Sequence, residues 1–283
     1  MVAVDVHDSS GLDWRRTNLA LWEEMARLHP STELYDIDGL VGGRDDIRPW
    51  EDEELGSVAG LDLLHLQCHI GSDTVGWARR GAKVVGLDFS PAALSIARDL
   101  STRCDLPIDW VESDVYDAAI AVAGRRFDIV YTGIGALGWL PDLGRWAEVV
   151  RQLLRPGGVL YIVELHPMWV AVITDGSSVC QHAIAAPFER WEEEPRMSYA
   201  APDHHLGQTA SFERLHSISD VMTAVLSAGL VVELFHEFDV TPAPTPWLEK
   251  DDTRLYRFPE GAWRFPLTYS LRARLPAGGT ERA

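Results

Sequence analysis

Three polar features stand where parallel β-strands would end, and their chemistry suits a nucleoside. The turn at residues 67–69, which leads to Gly71, joins an apolar strand to a helix, so backbone N–H groups would face a ligand there. Asp88 ends the next strand, and its carboxylate suits the hydroxyls of a ribose. Asp114 follows the third strand and could accept a hydrogen bond from an adenine amino group. Since the carboxyl ends of parallel strands share one edge of a sheet, the sequence predicts a single nucleoside-shaped cleft.

The elements that must position these groups alternate between short apolar strands and helices. This alternation predicts βαβ units, a parallel sheet and a doubly wound α/β fold. The predicted strands are Leu61–Leu66, Lys83–Leu87, Ile108–Val111, Phe127–Tyr131, Val159–Glu164, Leu230–Glu237 and Leu267–Arg274. The predicted helices are Gly11–His29, Trp50–Gly56, Asp73–Arg80, Pro91–Leu100, Leu143–Leu154 and Ser219–Ala228. Residues 31–50 are predicted to be a loop, and the helix at Leu143 is predicted to end at the sequence Pro156-Gly157-Gly158.

Five sequence motifs, taken together, resemble those of class I S-adenosylmethionine-dependent methyltransferases. HLQCHIGSDT occupies the place of the glycine-rich first motif, GLDFSP resembles the second and ESDVYD the third. FDIVYTGIGAL resembles the fourth-strand motif, and LLRPGGVLYIVE resembles the segment that enters the fifth strand. The resemblance covers about residues 45–165. It implies S-adenosylmethionine as the cofactor and a Rossmann-like sheet of seven strands, six parallel and one antiparallel.

The resemblance also implies which residues hold the cofactor. Gly71 and the turn before it would contact the methionine part, Asp88 the ribose, and Asp114 the adenine edge. Gly133 would lie near the sulfonium. The full implied set is Gln67, Cys68, Gly71, Asp88, Phe89, Ser90, Asp114, Val115 and Gly133.

The first motif departs from the family pattern, because His65, Gln67 and His69 stand where an acid and two glycines are usual. This variant resembles a bacterial subgroup that shares HLQCH and an N-terminal segment like NLALWEEMARLHPSTELYD. In that subgroup the N-terminal helix folds over the cofactor, and members act in natural-product pathways. The implied contacts from this helical lid are Asn18, Trp22, Tyr35 and Arg48.

We therefore divide the chain into four parts. Residues 1–56 form the N-terminal helical lid, and residues 57–166 form the cofactor-binding α/β core. Residues 167–215 form an insert after the fifth strand that caps the substrate, and residues 216–283 complete the sheet.

The acceptor of the methyl group is predicted to be a small aromatic molecule. Trp169 and Trp191 fall in the predicted insert, and the loop around Trp247 and Tyr256 is predicted to cap the substrate as well. Carbon methylation of an indole-like ring is the most specific form of this hypothesis. A general base helps when the acceptor must lose a proton. The candidate bases are His29, Glu164, His166 and His216.

The net charge and the cysteine content of the chain limit the classes of binding partner that we expect. The formal net charge of −18 disfavours nucleic acid and anionic membranes. Three cysteines and an N-terminus without a basic region or apolar run predict no disulfide framework, no signal peptide and a cytoplasmic location. The expected partner is a small-molecule acceptor, and a homodimer is left open.

Three other interpretations of the same residues remain. A metal site at His65, Cys68 and His69, or at His204 and His205, lacks the usual ligand spacing, so no metal is predicted. A nicotinamide-dependent oxidoreductase shares the fold, but the chain lacks GxGxxG. The main alternative is a catalytically silent protein that binds S-adenosylmethionine. The residues that replace glycine in the first motif suggest this alternative.

Overall fold

A computed structural model describes residues 13–172 and 187–278; Cys180 and part of the predicted insert lie outside this range. The helices are α1 (Trp14–Leu28), α2 (Ile37–Val41), α3 (Pro49–Leu55), α4 (Ser72–Arg79), α5 (Pro91–Arg103), α6 (Ala118–Ala121), α7 (Leu143–Leu153), α8 (Pro167–Val172) and α9 (Ile218–Ser227). The strands up to the fifth are β1 (Asp62–Leu66), β2 (Lys83–Asp88), β3 (Asp109–Glu112), β4 (Phe127–Thr132) and β5 (Leu154–Leu165). The later strands are β6 (Glu189–Glu192), β7 (Met197–Ser198), β8 (Ala201–His205), β9 (Ala210–Glu213), β10 (Val231–Phe238), β11 (Val240–Thr241), β12 (Glu249–Lys250), β13 (Tyr256–Arg257) and β14 (Thr268–Arg274).

The central sheet has seven strands in the order β10-β14-β5-β4-β1-β2-β3. Strand β14 is antiparallel to both of its neighbours, and the other strands are parallel to one another. The predicted Rossmann-like fold of six parallel strands and one antiparallel strand is therefore confirmed. The strand order reverses at β1, where β2 lies on one side and β4 on the other, and ligands bind at such a point in open α/β sheets.

Local sequence explains how the helices that flank this edge begin. Helix α5 starts at Pro91, and the Oγ of Ser90 caps it by accepting a hydrogen bond from the N–H of Ala93 at 3.1 Å. Helix α7 buries Trp146 and Val150 against the sheet, as its apolar spacing predicts.

Among the described residues, none of the helices combines the length and apolar character needed to cross a membrane.

The predicted boundary between α7 and the fifth strand was wrong. Helix α7 ends at Leu153, and β5 begins at once at Leu154, so the Pro-Gly-Gly sequence lies inside the strand. Gly157 adopts a left-handed conformation (φ 83°), and a Cβ at Gly158 would lie 3.0 Å from two backbone carbonyl oxygens. The glycines thus form an irregularity in the pairing of β5 with β4 rather than the end of a helix.

The segments outside the sheet are more ordered than predicted. Residues 31–50 contain helix α2 and the start of α3 rather than a continuous loop. The described part of the predicted insert forms short antiparallel pairs, β6 with β9 and β7 with β8. Asn18 of α1 joins these strands to the lid, since its side chain exchanges two hydrogen bonds with the backbone of Phe212, at 2.8 and 2.7 Å.

Candidate functional site

An open cavity of about 120 Å³ lies at the carboxyl edge of the sheet. The turn after β1, Asp88 at the end of β2 and Asp114 after β3 all line it, which is the juxtaposition that the sequence predicts. The implied cofactor residues that line the cavity are Asn18, Trp22, Tyr35, Gln67, Asp88, Phe89, Asp114 and Val115. The implied cofactor residues that do not line it are Arg48, Cys68, Gly71, Ser90 and Gly133.

Asp88 is placed to accept hydrogen bonds from a diol. Its Oδ2 accepts from the backbone N–H of His69 at 2.8 Å, and its Oδ1 accepts from that of Ser90 at 2.9 Å. These bonds fix the carboxylate but leave acceptor capacity on each oxygen. Burial raises the pKa of Asp88 to about 6, despite the backbone N–H groups that lower it.

Asp114 lies at the other side of the same cavity. Its Oδ1 accepts from the backbone N–H of Tyr116 at 2.8 Å, and its Oδ2 pairs with the Nε of Arg15 at 2.9 Å. Trp14, next to Arg15 at the start of α1, lines this end beside Val115. The predictions missed Trp14 as a lining residue, although its place in the first turn of the lid helix was a signal for it.

The turn after β1 keeps two bulky residues in a conformation that favours glycine. Gln67 and His69 have φ values of 54° and 50°. The Nε2 of Gln67 donates to the carbonyl of Ala136 at 3.0 Å, while its Oε1 is buried without a hydrogen-bond partner among the described residues. This oxygen is enclosed by protein and does not face the cavity.

The other residues of the first and second motifs support the turn from behind. Gly71 has a φ of 81°, and a Cβ there would lie 2.5 Å from the ring of Trp110, so packing requires glycine at this position. Burial raises the pKa of the Cys68 thiol, which keeps it protonated. The Oγ of Ser90 donates to Glu23 of α1 at 2.6 Å, which fastens the lid helix to α5.

Arg48 belongs to a buried network below the turn rather than to the cavity lining. Its Nη1 lies 2.9 Å from Glu51 and 3.3 Å from Asp73, and the hydroxyl of Tyr131 donates to Glu51 at 2.8 Å. A Cβ at Gly133 would lie 3.2 Å from the Asp73 carboxylate, so Gly133 packs against this network too. The position of Arg48 therefore does not support direct contact with a ligand in the cavity.

The candidate bases do not line the cavity. The Glu164 carboxylate accepts four backbone hydrogen bonds, from Leu165 and from residues 135–137, at 2.6 to 3.0 Å. Burial raises its pKa, and these N–H groups lower it. Glu164 thus holds the loop after β4, which does line the cavity, and the geometry supports a structural role for this residue.

The histidine candidates are buried and engaged elsewhere. His166 lies between the N–H of Met168 at 3.1 Å and the carboxylate of Glu237 at 3.0 Å. The Nε2 of His216 donates to the carbonyl of Leu140 at 2.8 Å. His29 is fully buried, and burial lowers its pKa to about 3. It lies behind the cavity lining: its Nδ1 is 2.8 Å from the Nε2 of His69, and its ring stacks on that of Tyr35.

The cavity side away from Asp114 is aromatic. The ring centroid of Trp22 lies 5.0 Å from that of Trp139 and 5.1 Å from that of His69. The hydroxyls of Tyr35 and Tyr199 are hydrogen-bonded to each other. Among the described residues that line the cavity, there is no lysine or arginine. Trp139 and Tyr199 were missed as lining residues, because long-range packing brings them to the turn and no local pattern shows it.

The aromatic residues expected to cap the acceptor lie elsewhere. Trp169 and Trp247 belong to a separate apolar cluster with Tyr256 and Phe258, and Trp191 is half exposed on β6. Within residues 13–172 and 187–278, no group of three or more histidine, cysteine or acidic side chains is arranged to hold a metal ion.

Known proteins resemble this chain in both sequence and fold. Residues 64–160 match the family profile of the methyltransferase domain. A ubiquinone biosynthesis O-methyltransferase from Nitrosococcus oceani is 33% identical over 151 residues, which cover 52% of this chain and 61% of that protein. One from Stutzerimonas stutzeri is 33% identical over 40% of this chain and 47% of its own length. The chain spans about half the length of the curated relatives it matches.

Solved structures share the fold at low sequence identity. An S-adenosylmethionine-dependent methyltransferase from Mesorhizobium loti has a TM-score of 0.56 and 20% identity, covering 83% of this chain and 99% of that one. A structure concerned with the conversion of a disulfide into a thioacetal in echinomycin biosynthesis has a TM-score of 0.58 and 19% identity, covering 92% and 94%.

These similarities agree with the motifs. S-adenosylmethionine is the methyl donor of methyltransferase domains with this fold, as the sequence predicts. The narrower HLQCH subgroup stays a prediction. Residues 64–160 match the methyltransferase-domain profile, and the chain has the fold of the S-adenosylmethionine-dependent methyltransferases.

Proposed function

We propose that the cavity binds S-adenosylmethionine and that the protein transfers its methyl group to a small, uncharged aromatic acceptor. The observation that carries this proposal is that Asp88, Asp114 and the turn after β1 line one cavity whose other side is aromatic. The adenosine would lie toward Asp114 and Val115, and the acceptor would lie against Trp22, Trp139 and the two tyrosines.

The hydrogen-bonding groups of the cavity suit the cofactor. Asp88 offers free acceptor capacity for two ribose hydroxyls. The bound cofactor supplies a methyl group that is activated by the positive charge of its sulfonium. What the protein must add is a fixed, water-poor geometry that keeps the acceptor in line with that methyl group.

The lining supports the choice of acceptor. Indole and phenol side chains form flat surfaces for an aromatic ring, and their faces are attractive to a nearby sulfonium. Because no cationic side chain of the described residues lines the cavity, an acceptor carrying a carboxylate or phosphate would be desolvated without a partner. Relatives named as O-methyltransferases support an oxygen atom as the methylated position. Methylation of an indole carbon, and a place in secondary metabolism, stay predictions.

Calorimetry with S-adenosylhomocysteine tests the cofactor site. We expect the wild type to bind it and Asp88→Asn to bind it about 100-fold more weakly, because two charge-assisted hydrogen bonds to ribose are lost. Asp99→Asn is the matched control, since Asp99 is an exposed carboxylate on α5, and its affinity should equal that of the wild type. No binding by the wild type, or equal binding by all three proteins, would contradict the proposal.

Binding should also depend on pH through Asp88. Since the pKa of Asp88 lies near 6, the carboxylate that would bind the ribose is charged above that pH and neutral below it. We expect the affinity for S-adenosylhomocysteine to be constant above about pH 7 and to be about tenfold weaker at pH 5. A titration of Asp88→Asn over the same range should show no such fall, and an identical fall in the variant would assign it to another group.

Turnover separates the enzyme from the silent alternative. Incubation with S-adenosylmethionine and a panel of phenols and indoles should give a methylated product, detected by mass spectrometry. Tight cofactor binding without any product across that panel would instead support a binding protein of the same fold.

A further inference from the structure

Three side chains form a hydrogen-bonded chain that ends at the cavity. His69 lines the cavity, and its Nε2 lies 2.8 Å from the Nδ1 of His29. The Nε2 of His29 lies 3.2 Å from the Oγ of Ser198 on β7. His29 and Ser198 are 0% and 1% exposed, and His29 also stacks on Tyr35 with ring centroids 4.6 Å apart. The ring of His69 is therefore held by partners that have little freedom to move.

The chain permits two arrangements of protons. In the first, both histidines carry their proton on Nε2, so that His69 donates to His29 and His29 donates to Ser198. In the second, Ser198 donates to His29 and both rings carry their proton on Nδ1. The first uses the tautomer that free neutral histidine prefers, and it leaves the Oγ of Ser198 as an acceptor, a role it also has toward the N–H of Ala200 at 3.2 Å.

The first arrangement leaves a lone pair on the Nδ1 of His69. Among the described residues this nitrogen has no hydrogen-bond partner, and it is not one of the enclosed polar atoms without one. It is therefore accessible from the cavity that His69 lines. The neighbouring rings of Trp22 and Tyr35 lie 5.1 and 5.6 Å from that of His69 and form the surface where we place the acceptor.

We propose that His69 is the catalytic base of the methyl transfer, and that His29 and Ser198 are positioning residues that select its tautomer. This inference rests on the proposed function. As the acceptor oxygen or nitrogen bonds to the methyl carbon, the carbon–sulfur bond breaks and its electron pair stays on sulfur. The proton of the acceptor passes to the Nδ1 of His69, which becomes an imidazolium and later releases it to solvent.

The surroundings of His69 are compatible with this role. Burial lowers its pKa, and the nearby ring of His29 lowers it further, so the imidazole is neutral at neutral pH. Its other neighbours are Trp22 and Tyr35 from the lid, and Asp88, which accepts a hydrogen bond from its backbone N–H. A weak base suffices, because the acceptor becomes a strong acid once it bonds to the methyl group.

Nitrogen NMR of protein labelled with ¹⁵N-histidine tests the tautomer without any turnover. We expect both His29 and His69 to be Nε2–H tautomers. With S-adenosylhomocysteine bound, phenol should shift the Nδ1 resonance of His69, and toluene, which has no hydroxyl proton, should leave it in place. An Nδ1–H tautomer at His69, or equal responses to phenol and toluene, would overturn the proposal.

Variants separate the base from a purely structural contact. His69→Gln places an amide near the position of Nε2 and keeps the bond to His29, but it removes Nδ1. We expect this variant still to bind S-adenosylhomocysteine and to lose methyl transfer to any phenol that the wild type methylates. His29→Phe keeps the stack on Tyr35; we expect the His69 resonances to become a mixture of tautomers. Full turnover in His69→Gln, or an unaltered His69 tautomer in His29→Phe, would overturn the assigned roles.

The two proposals can fail separately. If the wild type binds no S-adenosylhomocysteine, the proposed function fails, while the tautomer of His69 is still measured. If it binds and turns over but His69→Gln is as active, only the inference about the base fails.

Discussion

Replacing Arg48 with methionine is expected to lower the free energy of unfolding by about 3–5 kcal/mol, because it strips the cation from a buried network. Glu51 is 0% exposed, and Asp73 lies within 3.3 Å of the same guanidinium nitrogen. Without the guanidinium of Arg48, two neighbouring carboxylates would be enclosed without a cation, with the hydroxyl of Tyr131 and the backbone N–H of residue 48 as donors. Chemical denaturation of the wild type and the variant measures this loss.

The pH dependence of the Arg48 variant identifies the cause. Burial raises the pKa of Glu51, and the charge of Arg48 lowers it; removing that charge therefore raises the pKa further. A carboxyl group whose folded pKa is raised favours the folded state more as the pH falls, so the variant should recover part of the lost stability as the pH is lowered toward the ordinary pKa of a glutamate. Arg103→Met, which removes an exposed pair with Asp38, should cost less than about 1 kcal/mol. A loss that does not change with pH would contradict this explanation.

Replacing Glu164 with glutamine is expected to cost about 2–4 kcal/mol and to disturb the cavity at the same time. The amide nitrogen of glutamine would face backbone N–H groups that now donate to a carboxylate oxygen. These N–H groups belong to residues 135–137, and Gly135 and Ala136 line the cavity. We therefore expect both a lower melting temperature and weaker binding of S-adenosylhomocysteine.

Glu148→Gln provides the comparison for Glu164. Glu148 is an exposed carboxylate on α7 that contacts Arg151 and Gln152 rather than backbone N–H groups. Its replacement should change stability by less than about 1 kcal/mol and leave binding unchanged. Wild-type stability in Glu164→Gln would show that the loop after β4 does not depend on this carboxylate.

The sheet was predictable because its signals are local. Alternating apolar strands and helices, with Ser90 and Pro91 at the start of α5, set the element order, and the resemblance supplied the antiparallel last strand. The error at Leu154 arose because Pro-Gly-Gly usually ends an element, whereas here Gly157 turns within a strand that continues. Propensity alone does not distinguish a bulge from a boundary.

The site was predictable only in part, for a physical reason. Asp88 and Asp114 follow strands, so topology alone brings them to one cavity. The pairing of His29 with His69 depends on how the lid helix packs on the turn. The pairing of Tyr35 with Tyr199 depends on the hairpin of β7 and β8, and contacts of this range leave no periodic trace in the sequence. The same holds for Glu164, whose backbone partners could not be known before the loop was placed.

The bonds of α1 have a consequence for engineering. Glu23 ties this helix to α5, while Asn18 and Glu24 bond the backbone at Phe212 and at residues 207–208. Each of these side chains recognises main-chain atoms in a specific register. A chimaera that takes this hairpin from a relative, in order to accept a different substrate, must therefore take the first helix of the same relative as well. Otherwise the side chains of the helix would not match the backbone of the new hairpin.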